Sequence, residues 1–83
     1  AAEAELGALL SEQGDLPGAI EHLRSATRLQ PGLADAHHDL AVSLHSAGRD
    51  EEAMTEVDAA LRLAPDDPKC LEFRRYLESL KAR

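Results

Sequence analysis

The sequence predicts an all-α fold, a helical repeat (solenoid) of five antiparallel helices built from a recurring helix pair. Three observations predict it. Shifting the chain by 34 positions superimposes residues of the same type, apolar residues recur at spacings of three and four, and glycine and proline recur at the expected helix ends. The superimposed pairs are Ala2 with Ala36, Leu6 with Leu40, Leu10 with Leu44, Gly14 with Gly48, Ala19 with Ala53, Ala26 with Ala60, Leu29 with Leu63 and Pro31 with Pro65.

The first repeat, residues 1–33, is predicted to contain two helices. The first helix carries an apolar stripe that includes Leu6 and ends at Gly14, because glycine adopts the left-handed conformation that closes a helix. The second helix starts near Pro17, since proline has no amide hydrogen to leave unpaired in the first turn. Pro31 then stops it.

The second repeat, residues 34–67, follows the same plan. Gly48 ends its first helix, Asp50 is the predicted N-cap of its second helix, and Pro65 stops that helix. Small residues recur where two helix backbones would approach each other closely. These residues are Gly7, Ala19, Ala26, Ala41, Ala53 and Ala60.

The last segment, residues 68–83, departs from the pattern. In the same register it would bury Arg74, Arg75 and Glu78, so we predict a C-terminal capping helix instead. Its predicted N-cap is Asp67, followed by Pro68 at the first helical position. Its buried stripe would consist of Cys70, Phe73, Leu77 and Leu80.

Composition excludes several classes of function. The net charge of −7 argues against nucleic-acid binding, which uses Lys and Arg against phosphates. No apolar run is long enough to span a bilayer, so we expect a soluble chain without a membrane partner. The single cysteine, Cys70, cannot form an internal disulfide and leaves the compartment open, with the cytoplasm favoured. The chain begins Ala-Ala without Met, so we expect a piece of a longer protein.

The period and the stretch "EQGDLPGAIEHLRSATRLQP" resemble the tetratricopeptide repeat. The resemblance covers residues 1 to about 67 and implies helix-turn-helix units stacked into a right-handed superhelix. In that family the first helices line a concave groove that receives an extended peptide or a partner helix. Glu3 and His37 replace the large residue that the family often has near the start of the first helix, so we expect looser packing there.

By position, the resemblance implies a groove that contains neither Lys, Arg nor Asn. It therefore differs from the best-known subgroup, which clamps acidic chaperone tails, and we do not expect that ligand. An acidic groove with a small apolar floor favours a basic or amphipathic segment. The alternative is that these carboxylates only keep the helices solvated. The predicted groove residues are Glu5, Ala8, Glu12, Asp35, His38, Asp39, Val42 and His45.

The histidines allow two further hypotheses. His38 and His45 lie seven residues apart with Asp35 a turn earlier, which could be drawn as a zinc or copper site. Helical metal pairs prefer spacings of three or four, however, and Val42 intervenes, so we predict no metal and no cofactor. A milder hypothesis is that imidazole protonation, which ordinarily occurs near pH ~6.5, makes partner binding pH-sensitive.

No catalytic motif is present, because the chain has neither a Gly-rich phosphate loop nor the context of an activated nucleophile. We therefore predict a non-enzymatic protein-interaction module, a scaffold or an adaptor. The competing hypothesis is structural, with the chain stacking on further repeats or on itself. Its candidate surface includes the only Phe and Tyr of the chain and consists of Phe73, Tyr76, Leu77 and Leu80.

Overall fold

A computed structural model describes residues 15–82 of the chain. This part consists of four α-helices without a strand, so the all-α helical-repeat prediction is confirmed. The fifth helix, expected before Gly14, lies outside the described residues. The helices are α1 (Leu16–Leu29), α2 (Ala34–Ser46), α3 (Asp50–Leu63) and α4 (Pro68–Lys81).

The helix bounds repeat with the period of the sequence. Helices α1 and α3 each have 14 residues, and α3 begins 34 positions after α1, as α4 does after α2. The turns that follow α1 and α3 are also alike. The amide of Gln30 donates to the carbonyl of Ala26 at 2.9 Å, and the amide of Ala64 donates to the carbonyl of Ala60 at 2.9 Å. Pro31 and Pro65 each follow such a turn, as predicted.

The turn between α2 and α3 depends on Gly48. Its φ of 80° lies in the left-handed region, which favours a residue without a Cβ. The amide of Gly48 donates to the carbonyl of His45 at 2.9 Å, and the amide of Arg49 donates to the carbonyl of Leu44 at 2.8 Å. This pair of hydrogen bonds is the Schellman motif, and the predicted role of Gly48 is confirmed.

Two helices begin with a side-chain cap. The Oδ1 atom of Asp15 accepts a hydrogen bond from the amide of Gly18 at 3.1 Å, so α1 begins one residue before Pro17. At α4, the Oδ1 atom of Asp67 accepts from the amide of Lys69 at 3.0 Å. Pro68 is the first residue of α4, which confirms both predictions for its start.

The predicted N-cap of α3 is wrong. Asp50 is the first helical residue, and Arg49 is the N-cap, without a side-chain cap bond. The reason is the preceding turn, which orients the Arg49 carbonyl to accept the amide of Ala53 at 3.0 Å. Asp50 therefore lies inside the first turn, where a negative charge still stabilises the helix through its dipole.

The core is aliphatic, as predicted. Of the small residues expected at helix contacts, all those in the described part are buried, namely Ala19, Ala26, Ala41, Ala53 and Ala60. Helix α4 adds Cys70 and Leu77 to this core, and Phe73 and Leu80 pack against it half-buried. The four residues predicted for the buried stripe of this helix therefore face the core, while its role as a terminal cap stays a prediction. None of the helices in residues 15–82 has the length and apolarity needed to cross a membrane.

His37 makes two polar contacts where looser packing was expected. Its Nδ1 atom lies 2.9 Å from Oε1 of Glu56 on α3, and its Nε2 atom lies 3.1 Å from the carbonyl oxygen of Pro31. A carboxylate and a carbonyl are both hydrogen-bond acceptors, and a ring nitrogen of His37 that carries a proton can donate to the acceptor beside it. The side chain thus ties α2 to α3 and to the preceding turn.

Candidate functional site

One side of α2 carries the predicted groove residues that fall in the described part of the chain. We call this surface the α2 face. Its spacings of three and four place all of them on one side of the helix. They are half-buried apart from Asp35, which is exposed. Glu5, Ala8 and Glu12 lie outside the described residues. The α2 face consists of Asp35, His38, Asp39, Val42 and His45.

Helix α4 lies beside the α2 face and contacts it through aromatic rings. The ring of Phe73 lies edge-on to His38 and His45, with centroid distances of 5.8 Å and 5.9 Å. Tyr76 meets His45 at 5.2 Å and an interplanar angle of 88°. Edge-to-face pairs at such distances are favourable. We call these four residues the ring cluster.

The residues predicted for self-association therefore divide into two groups. Leu77 is buried, and Leu80 packs half-buried against the core. Phe73 belongs to the ring cluster, and Tyr76 keeps 48% of its surface exposed. Sequence reasoning assigned Phe73 and Tyr76 to one function and His38 and His45 to another, although the structure brings them together.

Carboxylates surround the ring cluster. The Nδ1 atom of His45 lies 2.7 Å from Oδ1 of Asp50, at the start of α3. The Nδ1 atom of His38 lies 3.6 Å from Oδ1 of Asp39. Asp35 contacts Lys69 of α4, with Nζ 3.4 Å from Oδ1. The Asp35 hydrogen bond raises the pKa of Lys69 above its ordinary value, so this ammonium stays charged.

The spacing of Asp35 and Lys69 in the sequence already indicates their contact. The two residues lie 34 positions apart, which is the period of the repeat. Residues one period apart occupy equivalent places on successive units, and stacked units contact their neighbours. A lysine one period after an aspartate therefore indicates an ion pair between units.

The α2 face holds no metal-binding group of side chains, and the thiol of Cys70 is not activated. Within residues 15–82, Asp35, His38 and His45 form no group that could hold a metal ion, nor does any other set of three such side chains. Cys70 is buried. Burial, followed by the charge and hydrogen bond of Asp67, raises the pKa of its thiol to about 11. A thiol in this state is a poor nucleophile at neutral pH.

A small cleft between the start of α3 and the end of α4 was not predicted. We call it the end cleft, and its volume is about 170 Å³. Met54, Leu77 and Leu80 form its apolar floor, and Asp50, Glu51 and Lys81 form its rim. Asp50 connects the cleft to the ring cluster, because its carboxylate also contacts His45.

A second cleft lies one repeat earlier, along α1. Its volume is about 460 Å³, and we call it the α1 cleft. Two arginines of its lining share the carboxylate of Glu52 on α3, with Nη2 of Arg24 and Nη2 of Arg49 each 2.8 Å from a carboxylate oxygen. The hydrogen bond from Arg49, above all, lowers the pKa of Glu52. The α1 cleft is lined by Leu16, Pro17, Ile20, Glu21, Arg24, Ala47 and Arg49.

Comparison with known proteins gives one family. The sequence model of the tetratricopeptide repeat matches residues 10–75, which include α1, α2, α3 and the first half of α4. No curated protein gives a significant match to the chain.

Proposed function

The chain belongs to the tetratricopeptide repeat family, and from this we propose a non-enzymatic interaction module that binds a basic or amphipathic segment of a partner protein on the α2 face. Repeats of this family serve protein–protein interaction in general, and the particular ligand depends on the side chains that each member displays. The proposal is carried by one observation, namely that the exposed ring of Tyr76, which contacts His45, adjoins the carboxylates of the α2 face.

The charge of the face supports a basic partner. Asp39 and Asp50 contact the histidines of the ring cluster, and Asp35 forms an ion pair with Lys69. The ion pair between Asp35 and Lys69 is exposed, with 77% and 61% of the two side chains accessible. Exposed pairs of this kind contribute little free energy, so a cationic partner competes for Asp35 at little cost.

The rings support an anchored rather than a purely electrostatic contact. Tyr76 is half exposed at the edge of the cluster, and contacts with Phe73 and His45 hold its ring. A cationic side chain above such a ring gains cation–π attraction. Rigid tyrosines that lose little conformational entropy are frequent anchors at protein interfaces.

The test is an amide chemical-shift titration with three short peptides, which are basic, acidic and amphipathic-helical. We expect the basic or the amphipathic peptide to shift His38, Val42 and Tyr76 in a saturable way, and the acidic peptide to leave them unchanged. Tyr76→Ala should weaken binding by about tenfold. Leu29→Ala is the matched control, because Leu29 is 71% exposed on another helix. Preference for the acidic peptide would contradict the proposal.

Self-association through α4 has less support. Leu77 is buried, and Phe73 and Leu80 pack against the same molecule, so most of the residues suggested for that function are already used within the fold. Light scattering over a range of concentrations tests it. A molar mass that rises with concentration, and falls back in Tyr76→Ala, would favour self-association over peptide binding.

A further inference from the structure

We propose that the end cleft is the anchor pocket of the binding surface and takes one aliphatic side chain of the partner, next to a Lys or Arg that faces Glu51. This inference rests on the function proposed above and specifies the partner further. The occupant would be a basic segment in which a leucine-like residue lies beside a cationic one.

The size of the end cleft suits a side chain. Sites for small molecules and cofactors usually measure ~300–1,000 Å³, whereas the end cleft holds about 170 Å³. Its floor of Met54, Leu77 and Leu80 offers only aliphatic and thioether groups. Such a floor gains free energy by burying an apolar group and offers no polar partner for a hydroxyl or an amide.

The charge of the cleft rim determines which kind of partner residue would lie beside the aliphatic side chain in the cleft. Within residues 15–82 the carboxylate of Glu51 has no hydrogen-bond or ion-pair partner, whereas that of Asp50 contacts His45. Lys81 lies in the last turn of α4, where its charge offsets the negative end of the helix dipole. The rim therefore presents one unpaired carboxylate, to which a cation of the partner is complementary.

The charged groups of the α1 cleft are paired differently from those of the end cleft. The two arginines of the α1 cleft already share Glu52, so their guanidinium groups have a carboxylate partner. Glu52 itself projects from α3 and bridges toward α1. The end cleft has no such pair of arginines and no bridging glutamate. The carboxylate of Glu51 on its rim is therefore available to an incoming chain.

The end cleft also adjoins the α2 face. Leu80 follows Tyr76 by one helical turn on α4, so both lie on the same side of that helix. On α3, Asp50 contacts His45 of the ring cluster and also forms part of the cleft rim. A segment that crosses the ring cluster therefore reaches the end cleft without leaving the surface.

The experiment uses two fluorescent peptides of the same basic sequence, one containing a single leucine and the other serine at that place. We expect the leucine peptide to bind the wild-type chain on the order of tenfold more tightly, which is the effect of burying one aliphatic side chain. Met54→Trp fills the cleft and should abolish this preference while the melting temperature stays close to that of the wild type.

A charge-matched pair of variants tests the rim. Glu51→Gln should weaken both peptides about threefold or more, whereas Glu21→Gln, which removes the same charge from the α1 cleft, should weaken neither. The wild-type comparison of the two peptides does not depend on whether Met54→Trp folds. Equal affinities of the two peptides, with Tyr76→Ala still weakening both, would overturn the anchor pocket and leave the proposed function intact. Absence of binding by either peptide would overturn both proposals.

Discussion

The α1 cleft and the end cleft occupy equivalent places in two successive repeats, yet their rims differ. Glu52 bonds both arginines on the rim of the α1 cleft, whereas Asp50 and Glu51 line the end cleft. The two repeats therefore share the small residues at which helix backbones approach each other, whereas the residues that line their clefts differ. The equivalent pairs are Leu16 with Asp50, Pro17 with Glu51, Ile20 with Met54, and Ala47 with Lys81.

The largest effect is expected on the floor of the end cleft. Leu77 is 3% exposed, and Leu77→Ala would leave a cavity that costs about 2–5 kcal/mol of unfolding free energy. Urea denaturation measures this as a lower midpoint with a similar slope. Leu71→Ala on the same helix is the control, since Leu71 is 42% exposed and its loss should change stability by about 0.5 kcal/mol at most. Equal losses in the two variants would mean that α4 does not pack as described.

A smaller loss of stability is expected at a pair of equivalent positions that carry the same residue in both repeats. Ala19 and Ala53 are both fully buried, so Ala19→Phe and Ala53→Phe should each overpack a helix contact and cost about 1–3 kcal/mol. Thermal unfolding followed by circular dichroism would show both losses. Thr55→Phe, at an exposed position of α3, controls for the introduction of a large ring. An unchanged melting temperature in Ala53→Phe would contradict the assigned contact.

The stability of the turn between α2 and α3 should fall when a methyl group is added at Gly48. Gly48→Ala places a Cβ at a φ of 80° and should cost about 1 kcal/mol. Gly32→Ala is the matched control, because its added Cβ meets no atom within 4 Å and its φ is not left-handed. That control should be neutral or slightly stabilising, through the unfolded state. If both variants lost stability equally, conformational strain at Gly48 would not be the cause.

The smallest effect is expected at Glu52, which bonds the two arginines of the α1 cleft. The pKa of Glu52 is lowered from 4.5 in the folded chain, chiefly by its hydrogen bond with Arg49, so its contribution is present above pH 4.5 and is lost as the pH falls through the folded value. Glu52→Gln should therefore be slightly less stable than the wild type near neutral pH and equal to it in acid. The difference in urea midpoint, measured across pH, checks the sign. A difference that grew in acid would contradict this account.

Sequence reasoning predicted the features that local chemistry determines. Residue type alone suggested a place at a helix boundary for Gly48, Asp67 and Pro68. Spacing suggested the helix contacts of Ala53 and Ala60, because each lies one period after another alanine. The N-cap of α3 could not be chosen by composition alone, because the hydrogen bonds of the preceding turn fix where the helix begins.

The site was harder to predict than the fold. Helical spacing placed His38 and His45 on one face of α2, but it does not reveal which side chains of another helix lie across from them. Phe73 and Tyr76 meet these histidines because of how α4 is placed against α2, and the end cleft is lined by residues of both α3 and α4. The ring contacts and the end cleft each combine side chains of two helices, and a pattern within one helix does not contain the relative position of another.

The single cysteine of the chain can serve as a built-in reporter of how often the structure opens around it. With a pKa of about 11, only about one Cys70 side chain in ten thousand is ionised at pH 7, and burial keeps reagents from reaching it. Alkylation must then wait until α4 separates from α3. The labelling rate in excess reagent would therefore count separations of the last helix, and its slowing by a bound peptide would measure how strongly a partner holds that helix in place.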